Sequence, residues 1–511
     1  MVNDNITSDV VVKLANETEE IALKEKAIFS PVMKKWHPIA SGSAAVSLHS
    51  CYGKVLKQYV TGIPFLTPDT LMGLQRAGRL EKLLIQMVVE DSVDSQDEEN
   101  GKAVVREMVP YEIDAIITDL LNEWIQDRMN KGKNCIHIAK ETESWNPISK
   151  NEAYAESAME LMKVAKEAIE DFFELPLAIS EDLLLNFAKE LNILFADYVS
   201  FLASCGSKQS YLPNLPPLTR CGSDSKIASF FKKASSFPSP SNDMVIPCEL
   251  SVYTTEDGHQ IQTSSSRGTQ RLYIRLNTLH YLLNQIQSLD KSLSLSSSYF
   301  EPVESSIKSA IHQVSEVAAY RLVFLDSGSV LHDTLYTGNV ATSRIKPALK
   351  TLKMNLSLLR LIVTDQAQKT AVKHMMKASF EAFLMVLVAG GSSRVFKRQD
   401  HVMIKEDLDA LKKIFGEDNV ERESSEAVEG VVELMGETTE QLVEDFSIIA
   451  CESGSVNGAV GARYGQKLSM PATTGKWNRS DSNTIVRILC HRKDSAANSF
   501  LKRTFQLARR V

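Results

Sequence analysis

The sequence predicts an all-α protein, an elongated rod of stacked helical bundles with a short mixed C-terminal unit. Three observations carry that prediction. Apolar residues recur three and four positions apart along most of the 511-residue chain, which places them on one face of a helix. The stripes stop at glycine or proline, residues that end helices. The gaps between them are mostly short, so successive helices turn back and pack side by side.

In chain order, Leu71 to Val89 and Ile113 to Met129 read as the first clear stripes. Ala158, Met162, Ala165, Ile169 and Phe172 form the next, closed by Leu175 and Pro176. Leu184, Phe187, Leu191, Leu194, Tyr198 and Leu202 follow, closed by Gly206, and predict an antiparallel partner. The spacing returns at Leu272, Leu276, Leu279, Leu283 and Ile286, and again at Ile307, Ile311, Val314 and Ala318. The stripe from Ile345 to Val363 carries Pro347, which the first turn of a helix tolerates. Ile404, Leu408, Leu411 and Phe415 end at Gly416, and Leu442 with Phe446 marks a weaker helix after Thr438.

The segment FEAFLMVLVAGGSSRVFKRQD, residues 380–400, tests the scheme because it offers three readings. A membrane span needs roughly 20 apolar residues, and the uncharged run from Ala382 stops at Gly390. A phosphate loop needs a final glycine, a lysine and a hydroxyl, which GGSSRVF lacks. Val372, Met376, Phe380, Phe383 and Leu387 instead share a helix face that Met375, Leu384 and Val388 widen, with Gly390 and Gly391 as the stop. Arg394, Lys397 and Arg398 beyond it read either as a partner or lipid contact or as a solvated turn.

Three segments break the pattern. Glu90 to Asn100 carries six acidic residues without the glycine and ligand alternation of a calcium loop, and is expected to be a solvated loop. Ser207 to Gly268 holds prolines among many serines and is expected to be a long flexible insertion. Glu452 to Asn483 is glycine-rich and reads as a linker to a terminal unit. That unit offers a strand at Thr484 to Cys490 and a helix from Ser495 with Phe500, Leu501 and Phe505 on one face.

From Thr484 onward, Arg487, Arg492, Lys493, Lys502, Arg503, Arg509 and Arg510 face only Asp494, seven basic residues against one acidic, an excess of six. Such a tail fits an anionic membrane surface, where each basic residue contributes about 1 kcal/mol before screening, or a docked helix whose charges stay in water.

Composition narrows the function. A net charge of -7 gives no chain-wide basic field for nucleic acid. Seven scattered cysteines with no CxxC pair fit a reducing cytosol, and the N-terminus shows no basic start followed by an apolar core. No HExxH, GxSxG or complete phosphate loop occurs; GLQRAGR at 73–79 has arginine in place of the lysine. The expectation is a non-enzyme without cofactor or metal.

Several stretches together resemble a known family: SPVMKKWHPIASGSAAVSLHSCYG (30–53), LPNLPPLTRCGSDSK (212–226), RLYIRLNTLHYLLNQI (271–286), SFEAFLMVLVAGGSSRVFKRQD (379–400) and GKWNRSDSNTIVRILCHRKDSAANSFLKRTF (475–505). They are similar to the plant branch of the uncoordinated-13 homology, or MUN-domain, proteins. The resemblance implies that the chain is the C-terminal part of a longer helical region. Its organisation would be a bundle at 1–150, a first homology module at 151–295 containing the insertion at about 207–268, a second at 296–450, a linker at 451–483 and a basic terminal unit at 484–511. It further implies vesicle tethering or priming in exocytosis or endosomal recycling, delivery of membrane proteins such as proton pumps, and contacts with syntaxin-type SNARE proteins and exocyst subunits. The location implied is cytoplasmic and peripheral to plasma membrane or vesicles. Candidate lipid or partner contacts are Arg394, Lys397, Arg398, Arg492, Lys493, Lys502, Arg503, Arg509 and Arg510. The helical pattern alone fits a helical adaptor unconnected with SNAREs equally well.

Overall fold

The apolar stripes fold as helices, and the described residues contain no strand, only two isolated bridges. The computed structural model describes residues 7–94, 106, 108–149, 151–221, 263–293, 299–416, 422–455, 470–473 and 475–510. Contacts divide the chain into one unit of Met1–Thr142, Ser157–Tyr198 and Gln287–Val303, and a second of Glu143–Glu156, Val199–Ile286 and Glu304–Val511.

The first unit opens with α1 (Ser8–Lys24), which continues through a π-helical turn (Glu25–Phe29) into the short α2 (Ser30–Met33). Helices α3 (Ala40–Thr61) and α4 (Pro68–Asp94) return against α1. Small and large residues share one buried cluster among them, Ala15 and Ala22 of α1 with Tyr52, Leu56, Leu80 and Leu84. Helix α5 (Ile113–Thr142) is joined by α6 (Glu156–Glu174) and α7 (Glu181–Ala203). Phe172 and Phe187 stack with ring centroids 4.6 Å apart, and Trp124 closes on both. The chain turns after α7 at Gly206, whose φ of +92° suits only glycine without strain.

In the second unit, α8 (Thr263–Leu293) carries a buried clasp. Asn277 donates to the carbonyls of Ala153 and Ile362 at 2.8 and 2.9 Å and accepts from the Thr364 amide at 3.0 Å, so one amide ties three segments. Helix α9 (Glu301–Tyr320) runs into a π-helical turn (Arg321–Asp326) and the short α10 (Gly328–Leu331). Helix α11 (Lys346–Ile362) starts with Pro347 in its first turn, as the spacing predicts. Helix α12 (Asp365–Ala389) is buried on every side from Ala378 onward apart from Glu381, being packed by the π-helical turn, α11, α14 (Arg422–Gly436) and α16 (Ser482–His491). That explains its oily run: a core helix surrounded by protein needs no polar face. It stops before Gly390, and Gly391 takes a φ of +75°. No described helix is long and apolar enough to cross a membrane. Helices α13 (His401–Phe415), α15 (Thr439–Ser455) and α17 (Ser495–Phe505) complete the unit.

Three expectations are corrected. Thr484 to Cys490 is the body of α16 and not a strand, so the terminal unit is helical throughout its described residues. Every residue from Asn483 to His491 is buried, the polar Asn483, Arg487 and His491 on one face included, and Asp481 supplies the N-cap by accepting from the Thr484 amide at 2.9 Å. Glu90 to Asp94 belongs to α4, and Asp91 is buried where it accepts from the Gly42 amide at 2.8 Å. At the edges of the expected insertion, residues 208–210 form a 3₁₀ turn, Arg220 is bridged to the C-terminal segment and 263–268 are helical. Residues 95–100 and 222–262 lie outside the described residues.

Candidate interaction surface of the C-terminal region

The second unit gathers the segment after α12, the segment before residue 221 and the last two helices into one junction. Phe396 donates its amide to the His491 carbonyl at 2.8 Å and accepts from the Lys493 amide at 2.8 Å. Arg220 does the same for the C-terminus, taking Ala508 and Arg510 as partners at 3.0 Å each. Helix α17 lies on α15 and α16, with Phe500 and Phe505 edge-on to Phe446.

The sequence-predicted basic residues divide into two populations there. Arg394 is 3 % exposed; its Nε donates to the Leu335 carbonyl at 2.8 Å, its Nη1 to Gly390 at 2.6 Å and its Nη2 to His332. Arg492 is 5 % exposed and donates to the carbonyls of Met435 at 2.8 Å and Glu437 at 2.5 Å, while Arg398 reaches Gly436 at 2.8 Å. The last carbonyls of an α-helix have no partner within it and carry the negative end of its dipole. Arg394 therefore serves the end of α12, and Arg398 and Arg492 serve the end of α14. The reading of Arg394 and Arg492 as surface contacts is corrected: both guanidiniums are turned inward and occupied. Burial lowers the pKa of Arg394 and Arg492 from its ordinary value, yet a guanidinium remains cationic at neutral pH.

Arg510 is half-buried and bridges the junction, donating to the Arg394 carbonyl at 2.8 Å and to His491 Nδ1 at 3.0 Å. Burial, reinforced by Arg510, holds the His491 imidazole down to about 3. Lys397, Arg398, Lys493, Lys502, Arg503 and Arg509 are exposed. Lys397 and Lys493 adjoin the bridged residues Phe396 and Arg492, whereas Lys502 and Arg503 lie in the last turn of α17. Exposed ammonium and guanidinium groups in this arrangement can hold phosphates or carboxylates.

Charge counting missed two features. Arg487 is buried with its guanidinium 4.9 Å from the Trp477 ring centre, and Nε donates to Asn483 Oδ1 at 2.8 Å. The spacing of Asn483 and Arg487, four apart on a helix, was the available signal. Trp477 also walls a groove of about 820 Å³ whose lining includes Phe380, Leu384, Lys208, Lys377 and Lys476. Among the described residues no cluster of three or more His, Cys, Asp or Glu is placed to hold a metal ion.

A chain whose described residues fold as packed helices, with some cations closing helix ends and others exposed, is, as a class, an all-α protein. Residues 117–511 match the family described as PATROL1-like, TPR repeats, and the chain belongs to that family. It is 27% identical over 97% of its length to the Protein unc-13 homolog of Arabidopsis thaliana, of which the match covers 45%. The chain thus spans less than half the length of that relative.

Proposed function

We propose that the protein is a non-enzymatic scaffold of vesicle traffic, tethering or priming vesicles in exocytosis or endosomal recycling and so promoting delivery of membrane proteins such as proton pumps. The observation that supports this most directly is family membership over residues 117–511 together with similarity to an unc-13 homolog across nearly the whole chain. In this reading the helices form a stiff support, and work is done by contacts with syntaxin-type SNARE proteins and exocyst subunits. The exposed Lys397, Lys493, Lys502, Arg503 and Arg509 contribute a peripheral, salt-sensitive contact with anionic lipid.

Proximity labelling in plant cells tests the partners: enrichment of exocyst and syntaxin-type proteins is expected, and their consistent absence overturns the reading. Vesicle flotation tests the lipid contact. Changing Lys502, Arg503 and Arg509 together to glutamine should weaken binding to anionic vesicles, and unchanged binding removes these residues from the proposal.

A further inference from the structure

In the first unit, helix α3 carries a second stripe besides the one it buries. Ala45, His49, Tyr52, Leu56 and Tyr59 are buried toward the core shared with α1 and α4. Val46, Ser50, Gly53, Lys57 and Val60, again four and three apart, share an adjacent face and line a cavity of about 600 Å³. Its other wall is the segment 109–112 with Ile116 of α5. The small residues Ser50 and Gly53 fall at the middle of the stripe and valines at its ends, which leaves a hollow with apolar sides.

The second wall is fixed in place. Tyr111 donates its amide to Glu81 Oε1 at 2.7 Å and its hydroxyl to the His49 carbonyl at 2.8 Å, and its ring stacks on His49 with centroids 4.2 Å apart. Gly53 lets that ring approach, since a Cβ there would lie 3.0 Å from Tyr111 Cε1. The chain then turns into α5 through Glu112, whose φ of +54° is a left-handed conformation that costs any residue other than glycine. The cavity is thus held open by its own hydrogen bonds, and its volume falls within the range of about 300 to 1,000 Å³ that small-molecule sites occupy.

Charge names the occupant. Lys54 and Lys57, exposed and one turn apart on α3, both line the cavity, and neither has an ion pair among the described residues. Helix α3 contains no acidic residue, so neither lysine has a carboxylate one turn away of the kind that Lys24 finds in Glu20. Around the cavity two ammonium groups stand against one carboxylate, that of Glu112.

We propose that this cavity binds a single-chain amphiphile with an anionic head, a long-chain carboxylic acid, whose hydrocarbon lies against Val46, Val60, Val109 and Ile116 and whose carboxylate meets Lys54 and Lys57. The hollow between a helix and a clamped wall admits one molecule taken out of solution; the flat face of a bilayer does not fit into it. The site lies wholly within the first unit, whereas the exposed C-terminal cations belong to the second.

Titrating the full chain into dansylaminoundecanoic acid, kept below its micelle concentration, should brighten the probe and shift its emission to the blue, with saturation at one molecule per chain, and oleate should displace it. Lys54→Gln and Lys57→Gln combined should weaken binding at least about ten-fold, as the loss of charge-assisted hydrogen bonds does. Lys54→Arg with Lys57→Arg should retain it, and the methyl ester of the probe should bind the parent and the glutamine variant alike. Both lysines are exposed, so their replacement reads on binding and not on folding. Val60→Trp should fill the cavity and abolish binding with the circular dichroism unchanged, while the Lys502, Arg503 and Arg509 variant should bind as the parent does. Absence of saturable binding by the parent at micromolar probe overturns the proposal. So does a glutamine variant that holds the acid as tightly as the parent, a folded Val60→Trp chain that still binds it, or uptake of the probe only when it is presented in vesicles.

Discussion

Arg344 grips Asp407 with two nitrogens, Nε to Oδ2 at 2.8 Å and Nη2 to Oδ1 at 2.7 Å. The same carboxylate is 4 % exposed and accepts the Tyr336 hydroxyl at 2.8 Å. Burial and the neighbouring carboxylate both raise the Tyr336 pKa, so the phenol stays a donor. Asp407→Asn replaces an acceptor by a donor opposite the guanidinium and leaves Arg344 with Glu406, at 3.1 Å, as its carboxylate partner. A loss of about 1 to 3 kcal/mol is expected, the range for a buried hydrogen-bonding group left unmatched, read as a lower urea midpoint with unchanged slope.

Arg492→Met keeps the aliphatic stem but removes the donors that end α14. The expected loss is about 2 kcal/mol, from charge-assisted hydrogen bonds left unmade. Lys502→Gln on the exposed turn of α17 should stay within about 0.5 kcal/mol of the parent. Thermal unfolding of the two variants side by side checks the division between buried and exposed cations.

The buried His491 makes stability depend on acid. Its folded pKa is depressed to about 3 from 6.5, so below 6.5 the unfolded chain binds a proton that the folded chain refuses. Its contribution is complete above pH 6.5 and is lost as pH falls toward 3, at up to about 1.4 kcal/mol per pH unit. Denaturant midpoints measured across that window should fall less steeply in His491→Asn, which cannot take up the proton in either state.

Gly390 has no room for a side chain: a Cβ there would collide with the Val386 carbonyl and with Arg394 Cδ. Gly390→Ala should therefore cost about 1 to 3 kcal/mol, as overpacking does, and should lower the melting temperature even though alanine is the better helix former.

The helices were legible because one-sided burial writes its period into the sequence. Ala158 to Phe172 and Leu184 to Leu202 appear as α6 and α7 with their stops in place. Helix α16 reads as a strand because its run is short and Thr484, Ile485 and Val486 are β-branched, although Asn483, Arg487 and His491 recur four apart on one face with Ile485, Val486 and Leu489 opposite. Asp481 was the overlooked signal, a side-chain cap three residues before Thr484. The basic residues of the candidate surface could be counted but not sorted. Whether a guanidinium meets a helix end or water depends on the partner segment, and nothing near Arg492 in sequence points to Met435.

The bridge between Arg220 and the segment of Ala508 to Arg510 joins stretches far apart in sequence. Translation delivers residues in order, so residues 219–221 must wait for residues 508–510 to leave the ribosome before they find their seat. A nascent chain arrested before residue 508 would hold Cys221, buried in the folded protein, open to a thiol reagent.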